Sequence, residues 1–289
     1  MAGKEHELSG SFHEVKVIAR LALARRIEDA ETVLTRAVVK AVIASGRGPR
    51  AFLRELGSGV AAYVRPDSPM NKLIGAGLAA PIADKELEKV ETLMRACEEP
   101  LRIELSTLSP PEVEVELRAR GYRLLGFENV LVRSLDEAFG SAEANVSIER
   151  VGPETIALWK RITIDASAHS DHSGDSVDQF SHDVIAEAVE DFLHVEGFER
   201  YLARANGEPA GGASLLIHER VAMLGGSATL PEYRLLGVHT ALIAARLAEA
   251  RVRGAEFAVV TTAPGSRSQA NMIKRGFRVV YARSILVRD

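Results

Sequence analysis

Leu230-Pro-Glu-Tyr-Arg-Leu-Leu-Gly-Val-His-Thr240 decides how this 289-residue chain is read. It lies between a strand-like run, Val221–Leu230, and an amphipathic one, Gly237–Arg253. In the latter, Leu242, Ile243, Arg246, Leu247 and Ala250 recur at helical spacing. The first N–H groups of a helix have no partner inside it. They point outward together, and the helix dipole adds partial positive charge. Gly237 lets the backbone approach a ligand closely. A diphosphate is the natural ligand of such a turn.

Working upstream, Tyr201–Ala205, Gly211–His218 and Val221–Leu230 read as successive strands, joined by Asn206-Gly207 and by His218-Glu219-Arg220. Pro153–Arg161 and Val177–Val195 read as helices before them. Downstream, Gly254 fits the position just after a helix. Phe257–Thr262 is a β-branched, buried strand, Ser266–Arg275 a short helix and Phe277–Val287 a final strand. Gly225-Gly226 inside a strand predicts a bulge that splays it, or else a surface kink.

The chain repeats itself. Arg120–Arg133 (RGYRLLGFENVLVR) and Arg275–Arg288 (RGFRVVYARSILVR) align without gaps at an offset of 155, with six of fourteen positions identical. Each copy ends its half, so two similar halves are expected, each closed by a helix, an Arg-Gly-aromatic turn and a long strand. Leu135–Ser147 is small, polar and linker-like. In the first half, Phe12–Ser45 reads as a helix stopped at Gly46-Arg-Gly-Pro49. Val60–Val64 and Leu73–Leu78 read as extended. Asp84 caps a helix to Ala96, Leu101–Leu105 is a strand, and Pro110-Pro111 opens a helix to Arg120.

Arg234-Leu-Leu-Gly237-Val-His239, opening a helix after a strand, resembles the Arg/Gln-x-x-Gly-x-Gly/Ala loop of the GNAT superfamily of acyl-CoA-dependent N-acetyltransferases. Gly276-Phe277 matches the Gly-Phe that ends the superfamily's helix–turn–strand. Ala263–Asn271 stands where the superfamily has an Asn/Ser-rich stretch. The resemblance covers residues 147–289. It implies an α/β (α+β) chain of tandem GNAT-like domains, each a mixed, mostly antiparallel sheet flanked by helices. The division is 1–135, a degenerate domain; 136–146, a linker; and 147–289, the acetyltransferase domain.

The resemblance implies acetyl-CoA as cosubstrate, held by Ala228, Thr229, Leu230, Arg234, Leu235, Leu236, Gly237, Val238, His239 and Thr240, with Ser268 and Asn271 adding contacts. The pantetheine arm would run between Val221–Leu230 and Phe257–Thr262. The main chain near Ala228 would supply an oxyanion donor. Two departures stand out. His239 replaces the last Gly/Ala, and either crowds the phosphates, donates to them or points away along the helix. Met272 stands where the superfamily often has a proton-donating Tyr. Val221–Leu230 holds no carboxylate and no His, leaving His169, His172, Glu232 or water as substitutes for a general base. Leu78–Asp84, the matching place in the first half, lacks the glycines, so that half is expected to bind no cofactor.

Charge adds to this. From Ile162 to Glu199 there is no Lys or Arg, ten carboxylates and half of the eight His. Such a segment beside the acceptor pocket would attract a small cationic amine, or is simply a solvated face. His169-Ser-Asp-His172 has zinc-like spacing but no further ligands, and no metal is expected. Arg246, Arg251, Arg253, Lys274 and Arg275 either meet the CoA 3′-phosphate or line solvated helix faces. Trp159 is expected in the core, and Cys97 buried and inert.

Composition sets the outer bounds: 46% apolar, 26% charged, net charge −4 and one cysteine. Disorder, a disulfide scaffold and nucleic-acid binding are disfavoured. No run reaches a membrane span and no signal peptide is visible, so a cytoplasmic location is expected. The function expected is transfer of an acetyl group from acetyl-CoA to a primary amine. The alternative is a non-catalytic acyl-CoA-binding or regulatory protein. The assembly is left open, a homodimer included.

Overall fold

The computed structural model describes residues 3–136, 145–168 and 180–288. In chain order the elements are α1 (Gly3–Ala44), β1 (Phe52–Leu56), β2 (Gly59–Tyr63), β3 (Lys72–Ile74), α2 (Asp84–Ala96), β4 (Leu101–Ser106), α3 (Pro111–Ala119) and β5 (Arg123–Ser134). Then follow β6 (Val146–Arg150), α4 (Ile156–Ala168), α5 (His182–Leu193), β7 (Glu199–Ala205), β8 (Glu208–His218), β9 (Val221–Thr229), α6 (Val238–Val252), β10 (Phe257–Thr262), α7 (Arg267–Lys274) and β11 (Arg278–Arg288).

The eleven strands among the described residues form one sheet, ordered β1-β2-β3-β4-β11-β5-β10-β9-β8-β7-β6. Only β3–β4 and β9–β10 pair in parallel. The sheet is thus mixed and mostly antiparallel, with helices on both faces. Adjacent residues of a strand point to opposite faces. Leu215, Ala222, Leu224, Ala258 and Val260 pack under α6 with Val238, Ala241 and Leu242. Their neighbours Leu216, Val221, Met223, Phe257 and Val259 pack under α1 with Ala24, Ile27 and Ala30. Trp159, on the α1 side, is 2% exposed and packs on Leu202; Cys97 is buried as expected.

Each half ends as the repeat predicted, in a helix (α3, α7) and a long strand (β5, β11), but these last strands are exchanged between the halves. β5, last strand of the first half, pairs with β10 of the second, and β11, last of the second, pairs with β4 of the first. The repeated strands have changed places and pair with each other in the middle of the sheet. Their register puts Arg283 opposite Glu128. These two are also equivalents in the 155-residue repeat, so a pseudo-twofold axis passes between them. The pair is an ion pair of 3.1 Å. Glu28 of α1 accepts from Tyr281 Oη at 2.6 Å and from Arg283 Nε at 2.9 Å.

Smaller differences have local causes. The extended run at Leu73 ends at Ile74, because Gly75 (φ 72°) and Gly77 (φ 78°) turn the chain. Asp84 is the first residue of α2, not its cap; Ala83 caps it without a side-chain bond. The helix expected at Pro153–Arg161 runs instead from Ile156 to Ala168. α5 starts at His182, because Ser181 caps it by accepting the Val184 N–H at 3.3 Å. β1 and the edge strand β6 had no counterpart in the sequence reading.

Candidate active site

β9 and β10 pair only from Val221/Phe257 to Met223/Val259. Beyond that they part, β9 running to Thr229 and β10 to Thr262. A bulge goes with the parting. The β8–β9 register shifts between Gly212 and Ser214, so that Gly226 and Ser227 stand against one residue of β8. Gly226 takes φ 55°, and Gly225 and Gly226 are exposed. Of the two readings of Gly225-Gly226, the bulge is the one formed.

Leu230 N–H donates to the Ala210 carbonyl at 2.9 Å. Residues two apart in an antiparallel ladder share one pairing type. Ala228 therefore spends its N–H and C=O on Gly212, its partner in register. The N–H that faces away from β8, into the gap, is that of Thr229, one residue beyond the Ala228 named from the sequence.

At the end of β9 the chain makes a 3₁₀ turn, Pro231–Tyr233, and enters α6 through Gly237 at φ 80°. Leu235 is also left-handed, at φ 65°. No side chain caps α6, and none of its first-turn residues is acidic. Among the described residues, the N–H groups of Leu235 to Thr240 meet no main-chain acceptor within hydrogen-bond distance. In α2, the matching helix of the first half, Asp84 and Glu86 occupy the first turn and offset its positive end. The two helix starts are therefore opposite in their preference for an anion.

Arg275 donates to Thr240 Oγ1, and Arg133 of β5 donates to the Arg275 carbonyl. A strand from the first half thus holds a cation at the turn of the second. Arg275 was only one of five cations named from the sequence, because spacing does not show which helix faces the turn. Arg246, another of the five, is fully buried. Burial, and then Arg246 and Arg275, push the His239 imidazole down to about 4. His239 is half-buried and neutral at pH 7, so it adds no charge to the turn.

Of the other residues named from the sequence, Glu232 is exposed on the 3₁₀ turn. Ser268 is exposed and Asn271 half-buried on α7. Met272 packs in the core with Val238 and Ala241 of α6. His169 and His172 lie outside the described residues. The acidic segment is partly neutralised: Asp191, 1% exposed, takes Arg65 and Arg47, and Glu187 takes Arg47 at 2.6 Å. Lys160 takes Glu190 at 2.6 Å. Among the described residues, Asp29, His218 and Glu219 could hold a metal ion. They sit at the other end of β9 from the turn.

Buried polar side chains are normally paired. Ser227 Oγ and Thr229 Oγ1 of β9, Thr262 Oγ1 of β10, and Trp159 Nε1 and Thr163 Oγ1 of α4 are buried without a partner. The first three stand on the segments that part. The last two crowd Gly212, where a Cβ would lie 2.3 Å from Thr163 Oγ1 and 3.2 Å from Trp159 Nε1. Parted strands that carry unpaired hydroxyls, next to the α6 turn, suit an elongated ligand with its own donors and acceptors, ending in an anion at that turn. An acyl-pantetheine diphosphate has that form.

Residues 166–277 match the family model described as Acetyltransferase (GNAT) family. No curated protein matches the chain. A GCN5-related N-acetyltransferase from Kribbella flavida superposes with a TM-score of 0.62 at 17% identity, over 89% of this chain and 94% of that one. A tandem GNAT protein from the clavulanic acid biosynthesis pathway gives 0.58 at 13% identity, over 89% and 94%. A GCN5-related N-acetyltransferase from Sphaerobacter thermophilus gives 0.53 at 15% identity, over 82% and 75%. At these identities the solved structures speak for the fold.

Proposed function

With a GNAT-family acetyltransferase domain at residues 166–277 as the premise, we propose that this protein moves an acetyl group from acetyl-CoA to a primary amine of a small acceptor. The observation that carries this reading is the row of unpartnered N–H groups from Leu235 to Thr240, at the mouth of the gap where β9 and β10 part.

In this reading the turn amides hold the diphosphate and Arg275 adds a positive charge beside them. Ser227, Thr229 and Thr262 meet the amides of the pantetheine arm. When bound, the thioester supplies the acyl group: the amine forms the C–N bond, the C–S bond breaks, and CoA leaves as a thiolate. The Thr229 N–H donates to the thioester oxygen, and one such donor supplies ~3 kcal/mol. Holding both reactants together supplies several more. A thiol with a pKa of roughly 8.5 needs little help to depart at neutral pH. The buried Met272 therefore slows the reaction rather than forbidding it. The acceptor must lose a proton to become nucleophilic, and Glu232 or water takes it. The location we expect is the cytoplasm; no helix among the described residues is long and apolar enough to cross a membrane.

One observation favours a second reading, a non-catalytic acyl-CoA-binding protein: β9 carries no carboxylate or His, and Met272 is packed away from the gap. Two measurements separate them. Calorimetry with acetyl-CoA tests the shared premise, and no heat at millimolar ligand ends both readings. Thiol release that rises on adding cationic amines supports the enzyme. Binding without amine-dependent release supports the binder.

A further inference from the structure

A β-bulge leaves main-chain groups without ladder partners. Here Ser214 and Gly225 are the last register partners before the shift, so their carbonyls stand at the edge of the disrupted ladder. Both are met by one side chain. Arg246, fully buried on α6, donates from Nη1 to the Ser214 carbonyl at 2.9 Å and to the Gly225 carbonyl at 3.1 Å. Its Nε donates to the Leu242 carbonyl of its own helix at 3.0 Å, and its Nη2 is buried without a partner. Every other fully buried arginine or lysine of a protein interior is expected to bring a carboxylate with it. Arg283 does so, with Glu28 at 2.9 Å. Among the described residues Arg246 meets only carbonyls, and burial pushes its guanidinium down to about 9. A cation kept in the core without a counter-ion is costly. A leucine would fill the same space under α6 without that cost, so packing does not account for it.

What the arginine uniquely does is bridge two strands across the bulge. The planar fork reaches two carbonyls from one nitrogen and keeps the helix bonded with another. It ties the helix that begins at the proposed diphosphate turn to the strand that faces the proposed thioester. We propose that Arg246 is a positioning residue for acyl transfer: it pins the β9 bulge to α6, and so fixes the Thr229 main chain relative to the α6 turn. This rests on the acetyltransferase reading above. It adds that catalytic geometry depends on a side chain that touches neither substrate.

The test uses the full chain with Arg246→Met and Arg246→Lys. Three quantities are read: hydrogen–deuterium exchange of peptides spanning 221–230, the Kd for CoA, and amine-dependent thiol release from acetyl-CoA. For Arg246→Met the expectation is exchange at least ten times faster in that segment. Turnover falls about a hundredfold, while the Kd for CoA rises by no more than about tenfold, because the β9 contacts loosen but the turn amides are untouched. Arg246→Lys keeps only one donor at the bulge, so exchange in 221–230 is still about threefold faster than wild type, while turnover recovers to within about tenfold of it. Wild-type exchange in 221–230 for either folded variant overturns the proposal. So does a fall in melting temperature with unchanged turnover per folded molecule. Should Arg246→Met fail to fold, Arg246→Lys decides by the same two criteria. If the wild type releases no thiol with any amine, the acetyltransferase reading fails. The exchange measurement then decides alone whether Arg246 holds the bulge.

Discussion

At the scale of single residues, Gly237 and Glu128 carry the sharpest consequences. Gly237 sits at φ 80° as the cap through which the chain enters α6, facing the proposed diphosphate. A Cβ there is strained, and a carboxylate would meet the phosphates directly. Gly237→Asp should weaken CoA binding at least a hundredfold by calorimetry, and normal binding would remove the turn from the site. Glu128 stands on the pseudo-twofold axis, where burial and then the nearby Glu104 push its carboxyl up to about 7. Below a pH of about 4.5, folded and unfolded chains both hold that proton. Between there and 7 the unfolded chain gives it up first, so stability is lost as pH rises across that window. Glu128→Gln cannot titrate. Its melting temperature relative to wild type should rise from pH 5 to pH 8, and a difference that stays flat or falls would contradict the burial argument.

At the scale of elements, the two helix starts explain why one half is fitted for a diphosphate. α6 opens without acidic residues, whereas α2 opens with Asp84 and Glu86. The sequence separated the halves by another mark, the glycines missing from Leu78–Asp84, because a helix start is a local affair of a few residues. The role of α5 was not legible in the sequence. Its Asp191, 1% exposed, is gripped by Arg47 and Arg65, more than a hundred residues earlier. Removing one partner of a buried ion pair costs ~3–5 kcal/mol. Asp191→Ala should lower the melting temperature by several degrees at pH 7. It should do so more than Glu187→Ala, whose carboxylate is 52% exposed. Equal effects would mean that the buried grip contributes nothing.

At the scale of the whole molecule, exchange of β5 and β11 makes the halves interdependent. Each half alone would expose a strand edge that the other's terminal strand covers. Fragments 1–140 and 141–289, expressed separately, should show no cooperative melt by circular dichroism, and mixing them should restore one. A cooperative melt of either alone would show that the exchanged strand is dispensable. The exchange also brings Arg133 to the Arg275 carbonyl, so the first half supports the site. Opposite charges on the axis, Glu128 against Arg283, are open to a fused chain but not to two identical ones. In a symmetric dimer, a residue on the axis meets its own copy.

The sequence by itself determined what depends on neighbours along the chain. It carried the repeat, the strand–turn–helix at Leu230–Thr240, the bulge-forming glycines and the missing strand carboxylate, because φ preferences and periodicity act over a few residues. Tertiary structure alone decided which strand closes which half, which of five cations reaches the turn, and that Arg246 lies under the bulge rather than in solvent. Each of these is settled by contacts between segments distant in sequence. Many partners of similar chemistry compete for such contacts, and only the packed sheet selects among them.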